Sequence, residues 1–381
     1  MRTRCWSFLE DVVISGNKMG RIAALIVLLL SWGAVGCSTT IPGASSPTPT
    51  RGVIAKRADI CLGTIPNEWA AALSKTTILI PNVEWFAMEA VDDPGGVAYG
   101  SYHAGNNYGI ASVDLSSGGF RVISTAPPAA WGGVLWMSVS SPWLAWAESK
   151  GHGAWALKGW NIQTGESLTI ATSELLAGQY TFPVVGPDYV AWSQATSDSS
   201  ADIRIYRFTS RETTVLDSGR LSPPVIAGRY LVWGKYRGGD TQPSFTTVDA
   251  GTLRSEPLPN ALNGPQDIVY LAGSSEYLVW SENATTLAAA DFKTATVTTY
   301  RIQQDGRHNL QFPMLATRIL VWWTGVVETV LDVRTGNGFD LIDGTAAGAG
   351  DTLVISGARG KVPTLSAIHL SQSAGISSCS R

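Results

Sequence analysis

Leu231-Val232-Trp233 is one copy of an apolar tripeptide that recurs at a nearly fixed interval along this chain of 381 residues. The other copies are Val97-Ala98-Tyr99, Leu144-Ala145-Trp146, Val190-Ala191-Trp192, Leu278-Val279-Trp280, Leu320-Val321-Trp322 and Leu353-Val354-Ile355. Their third residues are separated by 47, 46, 41, 47, 42 and 33 positions. A period of about 40–50 residues built from short strands indicates a β-propeller or another repeat array.

Each repeat contains enough short apolar segments for four strands. In the third repeat the predicted strands are Thr181 to Val185, Tyr189 to Gln194, Ile203 to Tyr206 and Glu212 to Leu216. Ile203-Arg204-Ile205-Tyr206 alternates apolar and polar residues, which is typical of a half-buried strand. Strands this short are not stable alone, so we expect neighbouring sheets to bury each other's faces around an axis.

The sequence therefore predicts an all-β fold, a β-propeller of seven four-stranded blades between about Trp85 and Leu370. Six blades are the alternative, because the last spacing is short. The final repeat lacks an outer strand, and the N-terminal run Thr76 to Pro81 can supply it. That exchange closes the ring without an exposed edge. We expect residues 56–381 to form this single domain.

Most of the conspicuous residues have a structural explanation in such a ring. The second-strand tryptophans lie in the middle of apolar runs, so we expect them to be packed between blades rather than exposed for stacking on sugars. They are Trp146, Trp192, Trp233, Trp280 and Trp322. Several third strands end in an Asp or Asn that opens a turn, as Asp114 and Asp249 do. Such side chains bond their own backbone, so we interpret them as turn residues rather than catalytic ones.

The N-terminus has the pattern of an export signal. Ile22 to Val35 is an apolar run of 14 residues, which is short for a membrane span but fits a signal peptide. It ends in Ala34-Val35-Gly36-Cys37, which resembles a bacterial lipobox and implies lipidation of Cys37. Plain secretory cleavage after Gly36 is the alternative, and both export the protein. We expect residues 1–36 to be the signal peptide, with Met19 as the alternative start of translation.

We expect residues 37–55 to be the lipidated cysteine followed by a flexible tether. Ser38 to Gly52 is small, polar and proline-rich, and cannot bury enough apolar surface to fold. The predicted location is the outer face of the bacterial cell membrane, or the outer membrane in a Gram-negative organism. The lipid anchor is the predicted contact with the membrane.

Two cysteines remain in the predicted mature domain, Cys61 before the first repeat and Cys379 near the end. In an exported protein such a pair favours a disulfide, whereas two unpaired thiols are the alternative. A bond across so long a loop would stabilise the fold by roughly 4–5 kcal/mol in the chain-entropy model, less any strain.

Composition excludes some functions. Charged residues make up 15% of the chain and the formal net charge is −3, so nothing favours nucleic-acid binding. The four histidines are not paired at metal-ligand spacing, and no nucleophile elbow or phosphate loop is present. We therefore predict that the protein has no catalytic residue, metal or cofactor. We also predict that it is a monomer.

One face of the predicted propeller concentrates polar side chains. Loops that join second to third strands, and loops that join blades, emerge on the same side, and binding residues tend to lie on such loops. The candidate binding residues are His103, His152, Lys235, Arg237, Glu282, Arg307 and His308. A solvated polar rim is the alternative interpretation.

The order Pro-Val-Val, Leu-Val-Trp-Ser and Asp-Leu-x-Thr-Gly resembles the repeats of TolB-like and surface-layer β-propellers of prokaryotes. The resemblance covers about Trp85 to Leu370 and implies an envelope protein that binds other macromolecules or acts as a scaffold. The predicted function is therefore a membrane-anchored, extracytoplasmic binding module for an envelope protein or glycan. The alternative is a propeller hydrolase or lyase acting on an extracellular carbohydrate or small molecule.

Overall fold

The structure is a computed structural model. It describes residues 54–93, 96–126, 133–150, 154–174, 181–236, 244–258, 270–283, 285–302, 311–324, 327–342, 344–373 and 375–376. All of these residues belong to the compact unit Val53–Arg381. Within them the chain is almost entirely β-strand, with one helix.

The described chain begins with a segment that we call the strap, residues 54–80. It contains β1 (Ile54–Asp59), β2 (Cys61–Gly63), the helix α1 (Asn67–Lys75) and β3 (Ile78–Leu79). The blades follow it in chain order.

Blades 1 to 3 each have four antiparallel strands. Blade 1 contains β4 (Trp85–Asp92), β5 (Val97–Ala104), β6 (Asn107–Asp114) and β7 (Phe120–Ala126). Blade 2 contains β8 (Val134–Ser140), β9 (Trp143–Ser149), β10 (Trp155–Asn161) and β11 (Ser167–Ser173). Blade 3 contains β12 (Val184–Val185), β13 (Tyr189–Ser197), β14 (Ser200–Arg207) and β15 (Thr213–Leu221).

The remaining blades repeat this order with local differences. Blade 4 contains β16 (Val225–Ala227), β17 (Tyr230–Tyr236), β18 (Ser244–Asp249) and a single bridge from Val248 to Ser255. Blade 5 contains β19 (Leu271–Gly273), β20 (Tyr277–Asn283), β21 (Thr286–Asp291) and β22 (Thr296–Arg301). Blade 6 contains β23 (Gln311–Ala316), β24 (Ile319–Trp323), β25 (Glu328–Asp332) and β26 (Asn337–Leu341). Blade 7 contains β27 (Thr345–Ala349), β28 (Thr352–Arg359) and β29 (Val362–His369).

The predicted seven-bladed propeller is confirmed in the described part of the chain. The first strand of each blade is innermost, and β27 of blade 7 contacts β4 of blade 1, so the ring closes. The predicted N-terminal closure is also confirmed, because β3 pairs with β29 and becomes the outer strand of blade 7. The paired residues are Ile78 with Leu365 and Leu79 with Thr364.

The strap adds two strands that the sequence did not predict. β1 pairs in parallel with β22, and β2 pairs in parallel with β26, so blades 5 and 6 each gain a fifth strand. The outer ladders of these two blades run without a register shift. The outer ladders of blades 1 to 3 each contain one. Since bulges make an edge unsuitable for pairing, the flat edges are the ones that the strap covers.

The described residues form seven buried apolar clusters that hold the ring together, one at each junction between neighbouring blades. The strap contributes to three successive junctions through Ile60, Trp69 and Ile80. Trp69 packs edge-on against Phe339, with ring centroids 5.7 Å apart. Each second-strand tryptophan faces the preceding blade, and Trp192 is completely buried.

Blade 1 departs from the predicted alignment by one residue. Val97 pairs with Asp114 as Trp143 pairs with Asn161 in blade 2, so the residue equivalent to Trp146 is Gly100 rather than Tyr99. A Cβ on Gly100 would lie 2.1 Å from the carbonyl oxygen of Ala87. No side chain fits there, and Tyr99 instead packs toward blade 2.

Candidate functional site

The predicted binding residues that the structure describes lie on one face of the ring. His103, Lys235 and Glu282 all lie near the ends of second strands, beside the points where inner strands begin. We call this the entry face. His152, Arg237, Arg307 and His308 lie outside the described residues, as do Cys37 and Cys379, so those assignments stay predictions.

His103 is held within its own hairpin. Its Nδ1 lies 3.2 Å from Oε2 of Glu84, and its Nε2 lies 2.8 Å from the carbonyl oxygen of Gly105. The imidazole also stacks on Tyr108, with ring centroids 4.2 Å apart and an interplanar angle of 16°. These contacts indicate that His103 holds the turn in place.

Lys235 is likewise engaged at the junction of blades 3 and 4. Its ammonium group donates to Asp217, whose other carboxylate oxygen accepts a 2.9 Å hydrogen bond from the indole of Trp233. The structure gives no contact between His103 and Lys235 within the described ranges. A metal site was not predicted, and no group of three His, Cys, Asp or Glu among the described residues is arranged to hold one.

A different set of side chains converges on the entry face. In each blade the middle residue of the apolar tripeptide pairs with a residue of the inner strand. The residue two positions before that inner-strand partner is aromatic in four blades. These aromatic residues, which we call the aromatic layer, are Trp136, Phe182, Tyr270 and Phe312. They come from blades 2, 3, 5 and 6.

Three members of the aromatic layer meet across the axis of the ring. The centroid of Phe312 lies 6.1 Å from that of Trp136 and 6.1 Å from that of Phe182, tilted by 37° to each. Trp136 and Phe182 are 5.2 Å apart and edge-to-face at 73°. Blade 6 lies opposite blades 2 and 3 in a ring of seven, so these rings bridge the central opening at the entry face.

Phe312 reaches this position through an unusual backbone. Its φ is +50°, in the left-handed region, and the pairing of β23 shifts register between Gln311 and Met314. Such a conformation costs about 1–3 kcal/mol and is found where a binding site or switch needs it. The local strain is therefore associated with placing one aromatic ring over the axis.

The side chains of the aromatic layer are intermediate in burial between the core and the exposed surface. Trp136, Phe182 and Phe312 are each half-buried. Thr181, directly before Phe182, is completely buried, and its hydroxyl has no hydrogen-bond partner among the described residues. Burial raises the pKa of the Tyr270 hydroxyl, so this residue stays neutral at physiological pH.

The opposite face of the ring is tied together by hydrogen bonds between blades. The amide of Gly228 donates to the carbonyl of Ser274 at 2.7 Å, and the Ser274 hydroxyl donates to the carbonyl of Thr317 at 2.5 Å. Thr317 in turn bonds the carbonyl of Gly350. The amide of Asp351 donates to Asp93 at 2.6 Å, across the seam between blades 7 and 1. These hydrogen bonds between neighbouring blades give the entry face a rigid base.

Turn aspartates on that opposite face have the structural contacts that the sequence predicts. Oδ1 of Asp114 accepts from the amides of Ser116 at 3.0 Å and Ser117 at 2.7 Å. Asp249 makes the same turn with Gly251 and Thr252. These carboxylates are occupied by their own turns.

Acid should weaken the fold through these turns. Hydrogen bonds from the Ser116 and Ser117 hydroxyls lower the pKa of Asp114 to about 2, and bonds from Thr252 lower the pKa of Asp249. A carboxylate with a lowered pKa stabilises the fold above about pH 4 and loses that contribution as the pH falls toward about 2. We expect the unfolding midpoint, followed by circular dichroism, to fall over this range.

The variant Asp114→Asn removes one of the titrating groups, so its midpoint should fall less steeply with acid than that of the wild type. Burial acts in the opposite direction on Asp92, whose pKa is raised despite hydrogen bonds from Ser141. Equal slopes for the wild type and the variant would contradict the assignment to Asp114.

The aromatic layer was missed in the sequence, although a signal for it exists. Phe182-Pro183 and Phe312-Pro313 repeat the same dipeptide at the start of two inner strands. Recognising the shared position requires the pairing of inner with second strands, which the sequence pattern does not provide.

Comparisons with known proteins find similarity at the level of the fold. No family model matches the chain, and no curated protein matches it. A prolyl endopeptidase structure is 15% identical over 80% of this chain and 49% of its own, so this chain spans about half its length, with a TM-score of 0.49. The β-propeller domain of the Trilobed protease from Pyrococcus furiosus is 9% identical over 76% of this chain and 96% of its own, with a TM-score of 0.49. BamB from Moraxella catarrhalis is 14% identical over 73% of this chain and 83% of its own, with a TM-score of 0.41.

Proposed function

We propose that this protein is an exported, lipid-anchored propeller that binds another macromolecule of the bacterial envelope at its entry face. The observation that carries the proposal is the meeting of Trp136, Phe182 and Phe312 over the axis, 5.2–6.1 Å apart and half-buried. Partly exposed aromatic rings held on a rigid frame are typical anchors of binding sites. The opposite face, with its hydrogen bonds between neighbouring blades, supplies that frame.

Export and anchoring are supported by the sequence alone. The apolar run Ile22 to Val35, the lipobox-like Ala34-Val35-Gly36-Cys37 and the proline-rich tether fit a lipoprotein. The proposed disulfide between Cys61 and Cys379 fits an oxidising compartment. No helix within the described ranges has the length and apolar character needed to cross a membrane.

Anchoring can be tested by feeding cells an alkyne-bearing fatty acid and detecting its incorporation. The wild type should be labelled and recovered with membranes. Cys37→Ser should be unlabelled and recovered in the soluble exported fraction. Labelling that persists in Cys37→Ser would contradict the proposed anchor.

Binding at the entry face can be tested by photocrosslinking in intact cells. A benzoylphenylalanine in place of Phe182 should capture the partner. The same group in place of Phe292, a half-buried phenylalanine in a turn on the opposite face, is the matched control. Equal capture at both positions would contradict a site at the entry face.

A further inference from the structure

We propose that the aromatic layer accepts a bulky apolar side chain, aromatic or leucine-like, from a partner protein. The inference rests on the proposed function and names the chemistry of its ligand. Its first support is the composition of the equivalent position around the whole ring. From blade 1 to blade 7 the residues are Glu89, Trp136, Phe182, Pro223, Tyr270, Phe312 and Thr345.

This ring of residues contains no amine or amide side chain, and its one carboxylate, that of Glu89 in blade 1, already has an interaction partner. Its two hydroxyls belong to Tyr270 and Thr345, and the Thr345 hydroxyl is already hydrogen-bonded to Ser356. A sugar offers several hydroxyls that need polar partners beside the stacking ring, and burying them without such partners is unfavourable. An apolar side chain makes no such demand, so the composition favours a protein over a glycan.

The geometry of the three rings supports the same ligand. Trp136 and Phe182 meet edge-to-face, and Phe312 is tilted against both. Part of each ring remains exposed in this arrangement. A further aromatic or branched apolar group can pack on the exposed surface in the offset or edge-on geometries that such rings prefer. Aromatic residues in concave, preformed sites are the usual hot spots of protein interfaces.

The backbone of Phe312 provides an independent observation. A left-handed φ at a bulky residue is uncommon, and it fixes this ring over the axis before any ligand arrives. Preorganisation of this kind reduces the entropy lost on binding and raises affinity. The strained position therefore points to a preformed receptor for one inserted side chain.

The test uses the full chain carrying Cys37→Ser, so that no lipid competes for the site, labelled with 5-fluorotryptophan. The fluorine resonance of Trp136 is assigned as the signal that disappears in Trp136→Phe. Two probes are titrated separately: the capped tripeptide acetyl-Leu-Trp-Leu-amide and the oligosaccharide chitotetraose. We expect the peptide to shift the Trp136 resonance in a saturable way, while that of the completely buried Trp192 stays in place.

Two alanine variants then locate the contact. Phe182→Ala should weaken the peptide about tenfold or more, whereas Phe292→Ala on the opposite face should leave its affinity unchanged. A Trp136 shift with chitotetraose alone would overturn the apolar ligand and leave the proposed binding face standing. A Trp136 resonance unmoved by either probe, or equal effects of the two alanine variants, would overturn the inference. The Phe182 photocrosslink then decides the proposed function separately.

Discussion

Trp192→Ala should lower the free energy of unfolding by about 3–5 kcal/mol, because it removes a large side chain from a completely buried site. The indole lies in the cluster between blades 2 and 3, with Trp143, Trp155 and Phe208 among its members. Short strands cannot move far without breaking the ladders on both sides, so the cavity should collapse only partly. Urea unfolding of the purified protein measures the change.

Trp85→Ala is the matched control for this experiment. Trp85 opens the inner strand of blade 1 and is 37% exposed, so its replacement removes the same atoms with less buried contact. We expect a clearly smaller loss, because a partly exposed side chain leaves a smaller cavity. Similar losses for the two variants would mean that tryptophans between blades do not hold the ring.

The sequence pattern predicted the ring because its signal is local and repeated. Each blade has an apolar tripeptide in its second strand, so the tripeptides indicate one buried strand per blade. The missing outer strand of blade 7 pointed to Thr76 to Pro81 as its replacement. The closure through Ile78 and Leu79 confirms that inference. In blade 1 the aromatic Tyr99 was matched to the tryptophans, although Gly100 occupies their position. Strand alternation places these two residues on opposite faces, and composition alone does not distinguish them.

The parts that were missed depend on pairing between distant residues. β1 contains Lys56, Arg57 and Asp59 and has no apolar alternation, so nothing local marks it as a strand that joins blade 5. The contact of Phe312 with Phe182 joins residues 130 positions apart and requires a positive φ at Phe312. Such features follow from the closed ring rather than from any short stretch of sequence.

Removing the strands β1 and β2 should both destabilise the protein and make it associate. Excision of residues 54–63 takes Ile60 from the cluster between blades 5 and 6, where burial of such a side chain contributes about 1.5–3 kcal/mol. It also uncovers the outer edges of β22 and β26, whose ladders have no bulge to prevent pairing with another chain. Sedimentation velocity over a range of concentrations should show association, and urea unfolding the lower stability.

Cys61→Ser is the necessary control, because the excision also removes Cys61 and with it the proposed disulfide. This variant keeps β1 and β2, so we expect it to lose the stability of the proposed disulfide but to associate no more than the wild type does. The excised chain should be less stable again, by the contribution of Ile60, and should associate. If Cys61→Ser associates to the same extent, the disulfide rather than strand pairing protects these edges. If neither variant associates, the flat ladders of blades 5 and 6 are not pairing surfaces, and the strap acts only by filling the clusters between blades.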